Sequence, residues 1–222
     1  MPTLPAPPLP AAIAGIDVPQ DDVSAATWRW AHRSLPEYLL AHSVRSYCWG
    51  AALAGRDRRA FDPQILWTSS LMHDFGLTRL PRNTMCFEIE GAEFARRFLE
   101  RHGMAPDAAD RAAIAIILHM RSSVTLDDGV ESVLLDLATG LDVRGAGFDL
   151  IDRDTRRRVT AAWPRGAFDR RFLDAISREA ATRPTCQSAR LLNETGLADW
   201  MARSPWAASP AARGSSVRKE DG

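Results

Sequence analysis

The chain has 222 residues, 45% hydrophobic and 25% charged, with no net charge, which suits a globular protein with one sizeable core. Balanced charge excludes the broad positive field that selects nucleic acid or an anionic membrane, and no segment approaches the ~18 consecutive apolar residues of a membrane helix. The one lysine, Lys219, lies near the C-terminus, so a folded core has neither a P-loop lysine nor a Schiff-base lysine.

Met1 to Pro10 contains five prolines without a basic start or a continuous apolar stretch, unlike a signal peptide. Residues 1–20 read as an extended Pro-rich arm. Asp21-Asp22-Val23-Ser24 supplies capping acids for a helix through Trp28 and Trp30. Pro36 and Glu37 open a second, from Tyr38 to about Ala54, and Asp62-Pro63 opens a third that runs into His73 and stops near Gly76. Further helices are expected over Phe87 to Arg101, Ala108 to His119 and Ser132 to Val143. Of these, the one bearing Ile114, Ile116, Ile117 and Leu118 reads as central, because it is apolar on most sides. Arg153 to Arg158, Phe168 to Ala181 and Ala198 to Arg203 read as peripheral helices. Apolar spacing of three and four dominates and strand-like alternation is nearly absent. The prediction is one all-α domain over residues 21–203, followed by a disordered tail over 204–222 that is rich in Ser, Pro, Ala and Gly.

Cys48, Cys86 and Cys186 are isolated, with no CxxC pair, so neither a disulfide framework nor a thiolate zinc site is expected. A reducing, cytoplasmic setting follows from that reading. Cys86, near Glu88, is a weak candidate nucleophile. Gly145-Ala146-Gly147 lacks a preceding strand and a third glycine, so it reads as a turn. The arginines of 153–158 alternate with Asp149, Asp152 and Asp154, which describes a solvated helix face.

The chemistry concentrates elsewhere. His73 and Asp74 are adjacent at a helix end, where an imidazole and a carboxylate reach one point and suit a divalent cation. His42 lies mid-helix with Arg45 and Ser46 at i+3 and i+4. His119 ends a strongly apolar helix, where an unpaired imidazole is costly to bury, and Asp142 lies in another apolar stretch, where a carboxylate needs a partner. His32 and His102 sit among charged residues and are expected at the surface. Each of the buried candidates has an ordinary reading as a hydrogen-bonded core residue. Together, two imidazoles and two carboxylates from one helical core would leave a coordination position open, the pattern of a catalytic site.

An upstream His, an adjacent His-Asp and a distant Asp, all on helices, resemble the HD-domain superfamily, and more narrowly its cyanamide hydratase-like branch. The residues that carry the resemblance are His42 to Gly50, His73-Asp74-Phe75-Gly76-Leu77-Thr78, Phe87 to Ala92, Ala115 to His119 and Leu137 to Asp142, within about 36–150. The resemblance implies an HD-type helical fold and metal ligands at His42, His73, Asp74 and Asp142. It also implies a pocket histidine at His119 and a pocket or outer acid at Glu88. Two-metal members usually supply more histidines between the His-Asp pair and the last Asp. Here only His102 and His119 are present, so one divalent ion is expected, zinc first, with iron or manganese as alternatives.

The activity implied is hydration of a small nitrile-type molecule, cyanamide to urea. Water activated by the metal would attack carbon, Asp74 would hold that water, and His119 would protonate nitrogen. The competing enzyme reading is an HD-type phosphohydrolase acting on a nucleotide or other phosphate ester. It needs cations for phosphate oxygens, and Arg45, Arg79, Arg82 and Arg121 are near enough in sequence. A purely regulatory or binding domain would not need the complete ligand set. The expected partner is a small-molecule substrate, with no nucleic acid and no membrane; homo-oligomerisation is left open.

Overall fold

A computed structural model describes residues 6–78 and 85–207. The described residues form an all-α fold, apart from one short hairpin. Its helices are α1 (Asp22–Ser34), α2 (Glu37–Arg56), α3 (Pro63–Met72), α4 (Phe87–Arg101), α5 (Pro106–Leu118), α6 (Val130–Arg144), α7 (Arg153–Ala162), α8 (Phe168–Thr182), α9 (Gln187–Asn193) and α10 (Leu197–Ala202). Local chemistry sets many of the boundaries. Asp21 caps α1 by accepting from the Ser24 amide at 2.8 Å. Asp62 accepts from the Gln64 and Ile65 amides, with Pro63 at the first helical position of α3. Gly145 ends α6 in the left-handed region at φ 75°, the conformation that favours glycine.

The central helix is α2, which packs against α3, α6 and α8 and buries most of its length. This differs from the expectation for α5. That helix packs on α4 along one side and on α3 and α6 along another, and its remaining face leaves Ile114 44% exposed. The Arg153 to Arg158 span is a solvated helix, as expected, with an exposed Arg157–Asp154 pair at 3.7 Å.

Residues 1–5 of the proline-rich arm lie outside the described residues, and the rest of it is docked rather than simply extended. Strands β1 (Ala12–Ile13) and β2 (Ile16–Asp17) form a short antiparallel hairpin, and Ile13 and Val18 join the core. The polar tips of two buried aromatics fix it: Tyr47 Oη donates to Asp17 O at 2.7 Å, and Trp28 Nε1 donates to Pro7 O at 2.9 Å. At the other end, the first residues assigned to a tail also belong to the fold. Trp206 is buried, stacks on Trp49, and donates to Leu141 O at 2.7 Å. The rest of that segment, residues 208–222, lies outside the described residues.

Cys86 and Cys186 form a disulfide, against the expectation from their isolation in sequence. They are 100 residues apart, and no local spacing announces such a pair. Each immediately precedes a helix, α4 and α9 respectively, so the bridge ties two helix starts together. Arg183 reinforces it, donating to Glu90 and to Glu179 at 2.6 Å each. The bridge removes Cys86 as a nucleophile and withdraws the cysteine argument for a reducing compartment. Cys48 is the free, buried cysteine. Among the described residues, no helix is long and apolar enough to cross a membrane.

Reduction should therefore destabilise the fold measurably. Bridges typically contribute ~2–4 kcal/mol, and the chain-entropy relation gives ~4.7 kcal/mol for a loop of this length. Thiol titration in denaturant should count one thiol before reductant and three after it. The reduced protein should unfold at lower urea concentration, and three thiols without reductant would refute the bridge.

Candidate metal centre

The His-Asp pair sits where α3 gives way to a tight 3-10 turn, Phe75–Thr78. Gly76 explains the tightness: a Cβ there would lie 2.1 Å from Phe87 O. Its absence lets the start of α4 close directly over the turn. His73 and Asp74 thereby face the middle of α2, and their side chains are almost completely buried.

His42, His73 and Asp74 each offer one ligand atom within 4.8 Å of the others. His42 Nε2 lies 3.1 Å from His73 Nε2. Asp74 Oδ2 lies 3.5 Å from the first and 3.3 Å from the second. The opposite nitrogen of each ring fixes its tautomer. His73 Nδ1 donates to Ser70 O at 2.8 Å, and His42 Nδ1 donates to Asp142 Oδ2 at 2.7 Å. A carbonyl or ionised carboxylate can only accept, so both protons sit on Nδ1 and both Nε2 atoms present lone pairs. His119 follows the same rule, with Nδ1 donating to Ile116 O at 2.6 Å and Nε2 standing 3.6 Å from Asp74 Oδ1.

Two imidazole lone pairs, from His42 and His73, thus converge on a buried carboxylate whose Oδ2 accepts no hydrogen bond, while His119 stands on its Oδ1 side. Acceptors facing acceptors repel unless a cation lies between them. This donor set, two nitrogens and a carboxylate with their other faces pinned, fits a divalent ion of the zinc, iron or manganese type.

Electrostatics agree. Burial pushes the Asp74 carboxyl up, but His73, His119 and His42 outweigh it and hold it below the usual carboxylate range. Burial lowers the His42 pKa against the pull of Asp142, which favours the neutral ligand form. For His119, burial lowers the pKa, yet the bond to Asp74 wins and the net shift is upward. Asp136, on the same cavity wall, is pushed up to about 6 by burial.

The structure does not bring Asp142 into this group. It lies behind His42, on the Nδ1 side, with both oxygens occupied. Arg45 donates through Nε at 2.8 Å and Nη2 at 2.7 Å, and Trp49 Nε1 donates at 2.8 Å. Arg165 adds a contact at 3.5 Å and donates to the Asp142 carbonyl at 2.6 Å. Burial would raise this carboxyl, but Arg45, Arg165 and the bonds from Arg45 and His42 hold it well below the ordinary range. The sequence reading missed Trp49 and Arg165. The spacing of His42, Arg45 and Trp49 at i, i+3 and i+7 on α2 was the signal that could have found the first.

Glu88 is buried in the first turn of α4, where burial raises its pKa. It acts electrostatically on His119 but is not among the described residues lining the cavity. His102 is exposed, and His32 is only half-buried against Trp28. Arg45 is consumed by Asp142 and by the Trp163 and Pro164 carbonyls, so it is not available to a phosphate. Arg79 and Arg82 lie outside the described residues.

The group opens into a cavity of about 310 Å³. His42, His73, Asp74 and His119 stand in its wall, and exposed Arg121 and Arg190 also line it.

A helical core presenting His42, His73 and Asp74 to one point defines a class, and comparison agrees. Residues 39–159 match the HD domain family, more than half of the chain, and the protein belongs to that family. It is also similar to two curated proteins of Saccharomyces cerevisiae, cyanamide hydratase DDI2 and cyanamide hydratase DDI3. Each is 26% identical over 182 residues, covering 80% of this chain and 80% of the relative. Family, relatives and donor geometry together support a metal-dependent HD-type enzyme.

Proposed function

We propose that the protein hydrates a nitrile-type substrate, converting cyanamide to urea, and that His42, His73 and Asp74 hold one divalent ion. The observation that carries the metal site is the convergence of the His42 and His73 Nε2 atoms on a buried carboxylate whose Oδ2 lacks a donor. The likeness to the two yeast hydratases supports the choice of reaction. Asp142 serves this site by fixing the His42 tautomer and ring, as an outer partner does.

A divalent ion bound here supplies Lewis-acid activation of water at neutral pH. The residues do the rest. Asp74 Oδ1, on the side facing His119, accepts a hydrogen bond from the attacking water and aims its oxygen at the nitrile carbon. His119, its Nδ1 anchored on Ile116 O, delivers a proton from Nε2 to the nitrogen as the carbon–nitrogen π bond breaks. Glu88 favours the protonated form of His119. Water adds across the triple bond without a leaving group, and proton shift gives urea.

The test is an assay of metal-loaded protein for urea from cyanamide, run beside phosphate release from nucleotides. Urea formation abolished by a chelator is expected. Chelator-sensitive phosphate release without urea would replace this reading with the phosphohydrolase one and leave the metal site intact.

His119→Gln is expected to keep about one metal ion per chain and to lose ~10²–10⁴-fold in turnover, the usual contribution of a positioned acid. Metal analysis and steady-state rates on the same preparation decide it. A fall in occupancy from two ions to one would make His119 a ligand of a dinuclear centre instead.

A further inference from the structure

The cavity beside the metal-facing histidines is much larger than cyanamide requires. Its volume of about 310 Å³ falls in the ~300–1,000 Å³ range of pockets that enclose drug-sized ligands. An apolar cavity of only ~150 Å³ admits benzene. Cyanamide, with nitrogen, carbon and nitrogen as its heavy atoms, would leave most of the space to water.

That space is unequally lined. The donors and His119 occupy one end. Beyond them stand Phe172 and Ile176 of α8, Leu191 of α9, and Leu197 and Trp200 of α10, with Arg190 and Glu194 as the charged members of the same lining. This apolar wall starts at the metal site itself, since the Phe172 ring centroid is 5.7 Å from that of His42. It is also built to hold its shape. The Cys86–Cys186 bridge anchors the start of α9, and the Arg144 guanidinium sits over the Trp200 ring at 5.1 Å. These helices follow the residues matched by the HD family, which end at 159. Water against such a wall is poorly bonded, whereas an apolar group gains both burial and packing there.

We infer that the substrate class is an N-substituted cyanamide, R–NH–C≡N, whose R group is an aryl or branched alkyl group seated on the α8–α10 wall. This rests on the hydratase reading of the same site. The chemistry balances as for cyanamide. Water oxygen bonds to carbon as one carbon–nitrogen π bond breaks, giving the isourea; its O–H proton then moves to nitrogen as the second carbon–nitrogen π bond is exchanged for the C=O π bond. The product is the N-substituted urea, with no oxidant, reductant or leaving group.

Full-length, metal-loaded protein is assayed with cyanamide and with phenylcyanamide, and phenylurea binding is followed by calorimetry. The expected kcat/KM for phenylcyanamide exceeds that for cyanamide by ~10-fold or more, the scale of filling an apolar pocket. Leu191→Trp, which occupies the wall from a half-buried position, should lower that ratio by ~10-fold or more. Trp200→Ala, which removes part of the wall, should lower it as well, and it serves if the tryptophan variant does not fold. Cyanamide turned over as efficiently as phenylcyanamide overturns the inference and leaves the hydratase reading standing. If neither is hydrated, the hydratase reading fails and calorimetry decides the subsite. Phenylurea binding weakened by Leu191→Trp upholds an aryl-bearing ligand on this wall, and no binding overturns it.

Discussion

Asp74→Ala protein is expected to lose nearly all bound metal and, with it, turnover. Asp74 is the one carboxylate in the group, and its Oδ2 has no competing donor. Removing it leaves neutral nitrogens to hold a divalent charge without an anion. Loss of an outer partner typically costs ~10–100-fold in metal affinity or activity, and loss of this ligand should exceed that range. His73→Ala should behave similarly, since its Nε2 is already aimed by the Ser70 carbonyl. Metal content by mass spectrometry and urea production on the same samples test both variants. Full metal occupancy and rate in either would remove that residue from the site.

Asp142→Ala should instead announce itself in folding. Its carboxylate lies between two arginines at zero exposure, and Arg45 is equally buried. Deleting the acid strands a guanidinium in the core, which typically costs ~3–5 kcal/mol. For a chain of this size that lowers the melting temperature by roughly 10 °C. The loss should persist in the presence of a chelator, which separates it from any loss of metal stabilisation. Arg45→Met in the same chain should recover part of it, because the stranded charge is gone. A chelated Asp142→Ala protein as stable as the chelated parent would show that the carboxylate carries no structural charge pairing and would return it to the candidate ligands. The two variants thus distinguish an atom that touches the ion from one that holds its ligand still.

Most helices were legible because their signals are local. Asp21 and Asp62 mark starts by capping, and Pro63 and Pro106 by their fit to the first helical turn, signals that depend on a few neighbouring residues. Helix α9 went unpredicted, since seven residues between Cys186 and Glu194 show too little periodicity to register. The same limit hid the hairpin at 12–17, whose Ile13 becomes a core residue only in the packed fold.

By itself, the sequence determined that the protein is helical, which residues could supply imidazole and carboxylate, and that His73 and Asp74 act from one helix end. Those properties follow from side-chain chemistry and short-range spacing. Only the tertiary structure decided which atoms face which. It set Asp142 against Arg45, Trp49 and His42 Nδ1, 93 to 100 residues away, and joined Cys86 to Cys186 across 100 residues. It also placed Phe172, Ile176, Leu191, Leu197 and Trp200 in the lining of the cavity that His42, His73 and Asp74 face. Each of these depends on how helices pack, and packing distances between segments far apart in the chain have no counterpart in the local pattern of residues.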